Sequence, residues 1–209
     1  MENESKVLEN KKELTVTRQK RLKEFNRIRE ELLEQGYKEK ILSVSYLKAN
    51  IMALVTSVPV IGILCVLYFV INRGNYTYDG VNIVFWLFVF AGFALHELIH
   101  GITWAAFCEK KWEAIGFGIE WSMISPYCCC NEGLKLKEYA LGGAMPTIIV
   151  GFLPYIIGLI LGNYLFALFG VFHILVGGGD AYILWLIRGE KNAIIVDHPY
   201  LVGCVAFEK

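Results

Sequence analysis

The sequence predicts an all-α polytopic membrane protein with four transmembrane helices, a short cytoplasmic β-hairpin and an N-terminal amphipathic helix. Three observations support this fold class. Charged residues make up only 19 % of the 209 residues, against about 25 % in typical soluble domains, and apolar residues make up 56 %. The charges are concentrated, since residues 1–48 contain 12 of the 20 basic and nine of the 20 acidic side chains. The remainder of the chain contains four long apolar runs.

The N-terminal segment, residues 1–46, is predicted to be a charged cytoplasmic amphipathic helix that begins at Thr15 or Thr17. Its apolar residues recur at helical spacing, which predicts one face that packs on the rest of the protein or on the lipid surface. These residues are Leu22, Phe25, Ile28, Leu32 and Leu33. Docking to a partner protein is an alternative. The first 45 residues contain no apolar core of a signal peptide.

Residues 47–209 are predicted to form the transmembrane domain. A helix needs about 20 apolar residues to cross a bilayer, and four runs reach this length. They span about 51–71, 82–108, 139–162 and 164–187. The net charge of zero gives no electrostatic support for binding nucleic acid, so the expected partner is the lipid bilayer. The sequence leaves the oligomeric state open.

The distribution of Lys and Arg predicts the orientation of the spans. Twelve lie before the first span, four in the 109–138 loop and three in the C-terminal tail. The 72–80 loop contains one, and the turn at Asn163 contains none. We therefore expect a multi-pass protein of the plasma membrane with both termini and the 109–138 loop in the cytoplasm.

The 109–138 loop contains a strand pattern beside the end of the second span. Apolar residues alternate with small or polar ones from 115 to 125. These are Ile115, Phe117, Ile119, Trp121 and Met123. Ser125-Pro126 indicates a turn, and Tyr127–Cys130 a second short strand. The pattern predicts a β-hairpin.

Ionisable residues within the apolar runs occur only in the second and fourth. The second contains His96-Glu97-Leu98-Ile99-His100, which is the H-E-x-x-H pattern on a predicted helix. Residues four apart project from one helix face, so both imidazoles can ligate one Zn²⁺. Glu97 lies beside the metal, where it can act as general base toward a zinc-activated water. The alternative is a histidine pair that makes hydrogen bonds between helices.

A catalytic zinc takes three protein ligands and keeps one position open. Asp180 is the first candidate for the third ligand, because its distance from the cytoplasmic end of its span matches that of His96 and His100 to within about two turns of helix. His173 lies on the same face but about 10 Å further from the cytoplasm. It is the alternative ligand, or a group that supports a ligand or stabilises an oxyanion. Gly177-Gly178-Gly179 would permit close helix approach or loosen the backbone before Asp180.

Two further features are interpreted as structural. Cys128–Cys130 lack the C-x-x-C spacing of a structural zinc site and are expected to be reduced thiols in a cytoplasmic loop. Lipidation or redox sensitivity is the alternative. Asp197 and His198 are expected to form a surface turn before Pro199.

Taken together, these motifs resemble the small membrane putative zincin peptidase family, which is similar to site-2 intramembrane zinc metalloproteases. The resemblance extends over roughly residues 45–205. It rests on four elements, namely His96–His100, Pro126-Tyr127-Cys128, the Gly-Gly-Asp sequence ending at Asp180, and Val196-Asp197-His198-Pro199 with Gly203-Cys204. Site-2 proteases have glycine after the aspartate ligand, whereas this chain has Ala181.

The resemblance implies a membrane-embedded zinc metalloprotease that hydrolyses peptide bonds at or near the cytoplasmic side. Its substrate would be a membrane protein or peptide in extended conformation, paired by strand addition with the hairpin. The residues expected in that pairing are Ile115, Phe117, Ile119 and Trp121. The alternative function is a non-catalytic module that binds a metal ion on the same scaffold.

Overall fold

The computed structural model describes residues 16–73, 80–120 and 125–209. Within these ranges the chain is mostly helical, with one four-stranded sheet and one hairpin. The helices are α1 (Val16–Glu34), α2 (Tyr46–Asn72), α3 (Ile83–Phe107), α4 (Leu136–Leu161), α5 (Tyr164–Val176) and α6 (Gly178–Ile187). A π-helical turn, Thr147–Phe152, widens the middle of α4 directly after Pro146, as expected where proline removes a backbone donor.

Three of these helices are long and apolar enough to cross a membrane, with mean hydropathies of 2.6 for α2, 1.8 for α3 and 2.1 for α4. They correspond to the first three predicted spans. The fourth predicted span is not one straight helix, because α5 and α6 meet at Gly177 with a bend of 45°. The described residues therefore contain three candidate spans, or four if the bent pair counts as one.

Side-chain amides and hydroxyls fix where the long helices begin. Ser45 accepts a hydrogen bond from the N–H of Lys48, Asn82 from that of Phe85, and Asn163 from that of Phe166. These N-caps satisfy backbone donors that have no partner within the helix. Much of the apolar surface of the long helices is exposed, including Leu47 at 72 % and Ile160 at 76 %. Such surfaces are compatible with a multi-pass membrane protein.

A four-stranded antiparallel sheet joins the two ends of the chain, and the sequence analysis did not predict it. Its strands are β1 (Lys38–Val44), β4 (Leu134–Lys135), β5 (Ile194–Asp197) and β6 (Val202–Glu208), in the order β1-β6-β5-β4. The all-α prediction was incomplete because the pairing is non-local, with Lys38 opposite Glu208. β4 and β5 have only two and four residues, too few to give a periodic signal, and the two seven-residue strands pair across nearly the whole chain.

The N-terminal helix packs on this sheet. Its apolar face therefore covers the rest of the protein and not the lipid surface. Ile28 and Leu32 are buried against Val196, Val205 and Phe207. The prediction of an apolar face on this helix is therefore confirmed, although Leu33 lies outside it and is 38 % exposed. The cap residue Thr15 lies outside the described residues, as does the side chain of Thr17. The division of the chain at residue 46 stays a prediction.

The predicted hairpin is present as β2 (Ile115–Glu120) and β3 (Ser125–Cys130), which pair antiparallel. The prediction of a turn at Ser125-Pro126 was wrong, because both residues belong to β3 and pair with Glu120 and Ile119. Trp121 and Met123 lie in the part of the chain that is not described.

Neighbouring leucines of α1 test its docking on the sheet. We expect Leu32→Ala to lower the free energy of unfolding by about 2–5 kcal/mol, because it leaves a cavity under a buried side chain. Leu33→Ala removes the same atoms from a more exposed position and should change it by about 1 kcal/mol or less. Thermal unfolding of the purified protein measures both. Equal loss of stability in the two variants would contradict the packing of this face on the sheet.

Candidate metal centre

The buried face of α3 carries both histidines of the H-E-x-x-H motif. His96 is 2 % exposed and His100 is 4 % exposed, and their ring centroids are 5.0 Å apart. Val89 and Gly92 are buried on the same face, at the i, i+3 and i+4 spacing of one helical stripe. The two imidazoles therefore point into the helix bundle, as their spacing predicts.

Asp180 reaches the same point from α6. Its Oδ2 atom lies 3.0 Å from Nε2 of His96 and 3.5 Å from Nε2 of His100. These three residues form the group of possible metal ligands found among the described residues, with ligand atoms within 4.8 Å of one another. The structure thus brings together the histidine pair and the residue that sequence analysis placed first as third ligand.

The break at Gly177 places Asp180 in the first turn of α6. Gly178 packs so closely on α2 that a Cβ atom there would collide with the backbone oxygen of Ala53. Thr56 of α2 also donates a hydrogen bond of 2.9 Å to the backbone oxygen of Gly178. The glycines therefore provide a helix break and a close approach, and α2 holds the segment that presents the carboxylate.

A backbone carbonyl of α4 orients His100. Nδ1 of His100 lies 2.9 Å from the oxygen of Gly142, so Nδ1–H donates and the lone pair of Nε2 faces Asp180. The indole of Trp104 stacks on the His100 ring at 4.9 Å and 17°. A Cβ atom at Gly142 would overlap that indole. Sequence analysis missed both residues, although Trp104 lies one helical turn after His100 and repeats the buried spacing of α3.

The donor set fits zinc. Two imidazole nitrogens and one carboxylate oxygen are a ligand set that catalytic zinc sites use, with the fourth position left for water or substrate. The orientation of His100 by a backbone carbonyl is the arrangement usual for a ligating histidine. Both imidazoles are buried, whereas the Asp180 side chain is 22 % exposed and lies on the side of the site that is open to water.

His173 lies apart from this group. It is fully buried on α5, with its ring packed against Gly92 of α3 and against the rings of Phe93 and Phe169. Its ring lies beside Gly92, one helical turn before His96, and it is not part of the group whose ligand atoms can share one metal ion. The geometry therefore does not favour His173 as the third ligand.

A cavity of about 310 Å³ opens beside the three ligands. Glu97 lines it, and the backbone N–H of Cys128 lies near enough to the Glu97 carboxylate to interact with it. Other walls come from the start of α2, from Arg21 of α1, from β3 and from the turn between β5 and β6. The general-base candidate therefore faces an open space next to the metal ligands.

The hairpin lines this cavity mainly with β3, and β2 contributes only its last residue, Glu120. The residues predicted to pair with substrate lie on β2, where the Ile115 and Phe117 side chains pack against α3 at Gly101 and Ile119 is 48 % exposed. None of these three lines the cavity, and Trp121 is not described. Ser125–Cys129 of β3 line it instead. Substrate pairing stays a prediction.

Asp197 is not in the surface turn that sequence analysis expected. It ends β5 and accepts hydrogen bonds from the Tyr139 hydroxyl at 2.6 Å and the Cys130 N–H at 2.7 Å. Burial raises the pKa of its carboxyl above the ordinary value, against the opposing effect of these donors and of Arg21. His198 does form the turn, because its Nδ1 accepts from two backbone N–H groups that precede β6.

All six cysteines are free. Cys108 at the end of α3 and Cys130 at the end of β3 have their sulfur atoms 3.3 Å apart. Burial raises the pKa of the Cys129 thiol to about 11 and that of Cys128 still higher. Both shifts favour the neutral thiol, in agreement with the interpretation of Cys128 and Cys129 as structural side chains.

A comparison with protein families assigns the chain to a family. The model of the family described as "Putative zincin peptidase" matches residues 89–195, slightly more than half of the chain. The chain therefore belongs to this family of metallopeptidases, and zinc is the cofactor that the family implies. The matched region contains His96, Glu97, His100 and Asp180. Searches of the curated proteins and of the solved structures found no match.

Removal of single side chains tests the ligand set. Asp180→Ala and His96→Ala should each weaken Zn²⁺ binding by more than roughly 100-fold. Loss of a residue that only hydrogen-bonds to a ligand typically costs about 10–100-fold. His173→Asn serves as the matched control within the same bundle and should retain zinc. Zinc per chain is measured by elemental analysis of the purified protein. Zinc lost in His173→Asn but retained in Asp180→Ala would assign the third ligand to His173.

Adjacent glycines of α4 test the orientation of His100. Gly142→Ala should weaken zinc binding about tenfold or more, since the new methyl group displaces Trp104 or the carbonyl that holds His100. At Gly143, the nearest atom to a new Cβ is the flexible Leu184 side chain at 3.3 Å. Gly143→Ala should therefore bind zinc nearly as well as the natural sequence. Competition against a chromophoric chelator measures both affinities.

Proposed function

We propose that this protein is a membrane-embedded zinc metalloprotease, similar in design to site-2 proteases, that cleaves extended peptide segments at or near the cytoplasmic face. The observation that carries this proposal is the position of Glu97. Its carboxylate lines the same cavity as His96, His100 and Asp180. A site that only stored a metal ion would have no need of a fourth ionisable group in that place.

His96, His100 and Asp180 are the residues that would hold the ion. When bound, zinc supplies a Lewis acid that polarises the scissile carbonyl and increases the acidity of water. Glu97 accepts one proton from the attacking water as the new C–O bond forms. It returns that proton to the leaving nitrogen as the C–N bond breaks, so the protein emerges unchanged.

The cavity suits a short extended peptide. Its volume of about 310 Å³ lies at the small end of ligand pockets, which measure about 300–1,000 Å³. A peptide that pairs with β3 would be extended, and its carbonyl groups would be exposed to attack. Cys128 brings that strand close to the general base. The strand of the hairpin that we propose to contact the substrate is therefore β3, through its backbone carbonyl groups.

The sheet supports a topology with both termini on one side. β1 directly precedes α2 and β6 follows α6, and the two strands are hydrogen-bonded along seven residue pairs. The chain between them must then cross the membrane an even number of times, which favours four spans with α5 and α6 as one broken crossing. The excess of Lys and Arg on this side favours the cytoplasm.

The central test is Glu97→Gln. We expect it to bind zinc with nearly natural affinity and to lose cleavage, because an amide cannot accept the proton. Purified protein is incubated with a library of unstructured peptides, and new termini are identified by mass spectrometry. Glu109→Gln, which changes an exposed carboxylate just after α3, is the matched control and should cleave normally.

The possible outcomes separate the two candidate functions. Cleavage that persists in Glu97→Gln would eliminate the proposed role of this carboxylate. Zinc bound without cleavage in the natural sequence, both on this library and on membrane proteins trapped by Glu97→Gln, would favour the non-catalytic metal-binding module.

A further inference from the structure

One carboxylate joins the two elements that surround the metal site from the cytoplasmic side. Asp197 uses both of its oxygens, since Oδ1 accepts from the Tyr139 hydroxyl and Oδ2 from the N–H of Cys130. Tyr139 belongs to α4 and Cys130 to β3. Asp197 itself ends β5, so a residue of the four-stranded sheet connects α4 to β3.

The connection through α4 leads to the metal ligand His100. The backbone oxygen of Tyr139 accepts a hydrogen bond from Nε1 of Trp104 at 3.1 Å. Trp104 lies nearly parallel between the rings of Tyr139 and His100, at 5.4 and 4.9 Å. Gly142, one turn after Tyr139, accepts from Nδ1 of His100. The turn that Asp197 anchors thus contacts the edge of His100 directly, through Gly142, and its face indirectly, through Trp104.

The connection through β3 leads to Glu97. In an antiparallel ladder, the N–H groups of residues two apart point to the same side of the strand. The N–H of Cys130 points away from β2 toward Asp197, and that of Cys128 points the same way toward Glu97. Asp197 therefore holds the end of the strand edge that borders the cavity.

We propose that Asp197 is a positioning residue that fixes His100 through Tyr139 and fixes the β3 edge through Cys130. The part concerning His100 applies to zinc binding alone. The part concerning β3 rests on the proposed function, because it concerns the peptide that would pair there.

The chemistry of the position explains why a carboxylate stands there. Two donors converge on it, and a carboxylate offers two acceptor oxygens. Asparagine has the same shape but one oxygen, so it keeps the Cys130 bond only if its NH₂ group faces the Tyr139 hydroxyl, which must then accept instead of donate, and both bonds lose the strength that the negative charge gives them. The guanidinium of Arg21 lies close enough to Asp197 to interact with its charge, which offsets part of the cost of burying it.

The zinc measurement uses Asp197→Asn, Tyr139→Phe and the control Glu132→Gln. Glu132 is matched because its carboxylate also accepts two hydrogen bonds, from the backbone N–H groups of Glu109 and Lys110 at 2.8 and 3.0 Å. It anchors the end of α3 without contact to α4. The full-length protein is titrated with Zn²⁺ against a chromophoric chelator, and the absorption spectrum of the Co²⁺-loaded protein reports the ligand geometry.

We expect Asp197→Asn and Tyr139→Phe each to weaken zinc binding about tenfold and to alter the Co²⁺ spectrum. Both substitutions act on the hydrogen bond between Tyr139 and Asp197, so the double variant should bind zinc no more weakly than Asp197→Asn. Glu132→Gln should leave affinity and spectrum unchanged. Natural affinity and an unchanged spectrum in Tyr139→Phe, which loses a single hydroxyl and keeps its ring, would overturn the connection to His100 even if Asp197→Asn failed to fold.

The kinetic measurement separates the two connections. Asp197→Asn should raise KM for a cleaved peptide severalfold at saturating zinc, whereas Tyr139→Phe, which leaves the Cys130 bond intact, should not. Equal KM values in the two variants would overturn the connection to β3. If the natural protein cleaves no peptide, the proposed function fails, while the zinc and Co²⁺ results still decide whether Asp197 positions His100.

Discussion

Ionisable side chains between apolar helices are costly, at about 2.5–3.5 kcal/mol each at the centre of a span on insertion scales, and this cost organises the centre of the molecule. The ligand atoms of His96, His100 and Asp180 converge, so the imidazole nitrogens face a carboxylate oxygen. No single helix can supply this arrangement. The helix break after Gly177 places Asp180 in the first turn of α6, where the helix dipole favours a negative charge. Gly178 lets α2 approach this turn closely, as small residues do in membrane bundles.

The parts of the fold that the sequence predicts are those with a local signal. Long apolar runs indicate the helices that are long enough to span a membrane, and helical spacing indicates the face of α1 that contains Ile28 and Leu32. The four-stranded sheet has no comparable signal, because two of its strands are short and its register joins Lys38 to Glu208 across nearly the whole chain. The bend at Gly177 lies between these cases. Three consecutive glycines mark a weak point in a helix, but only packing against α2 decides that the helix breaks there.

The site shows the same division between local and distant information. The spacing of His96 and His100 is sufficient to place two imidazoles on one face, and a similar distance from the ends of the two predicted spans is sufficient to select Asp180. The partner of His100 is a backbone carbonyl of Gly142, which has no side-chain signature. The role of Asp197 depends on β5, β3 and α4 meeting in space. A polar residue before a proline gives no indication of that meeting and is usually part of a turn.

The proposed peptidase site needs water and a peptide chain to reach its ligands, and the sheet provides a route. Asp180 lies seven residues before the end of α6, about 10 Å along the helix, so the site lies inside the helix bundle and not at its end. The cavity nevertheless extends from these ligands to Arg21 and Pro199, which belong to the polar end of the molecule. Its walls there are strands and turns, whose backbone groups can hydrogen-bond to water or to an extended peptide. Irregular backbone is tolerated at membrane depth only where it is buried in protein or lines a wet cavity. The same sheet that joins the chain ends therefore supplies the polar wall that a buried metal site requires.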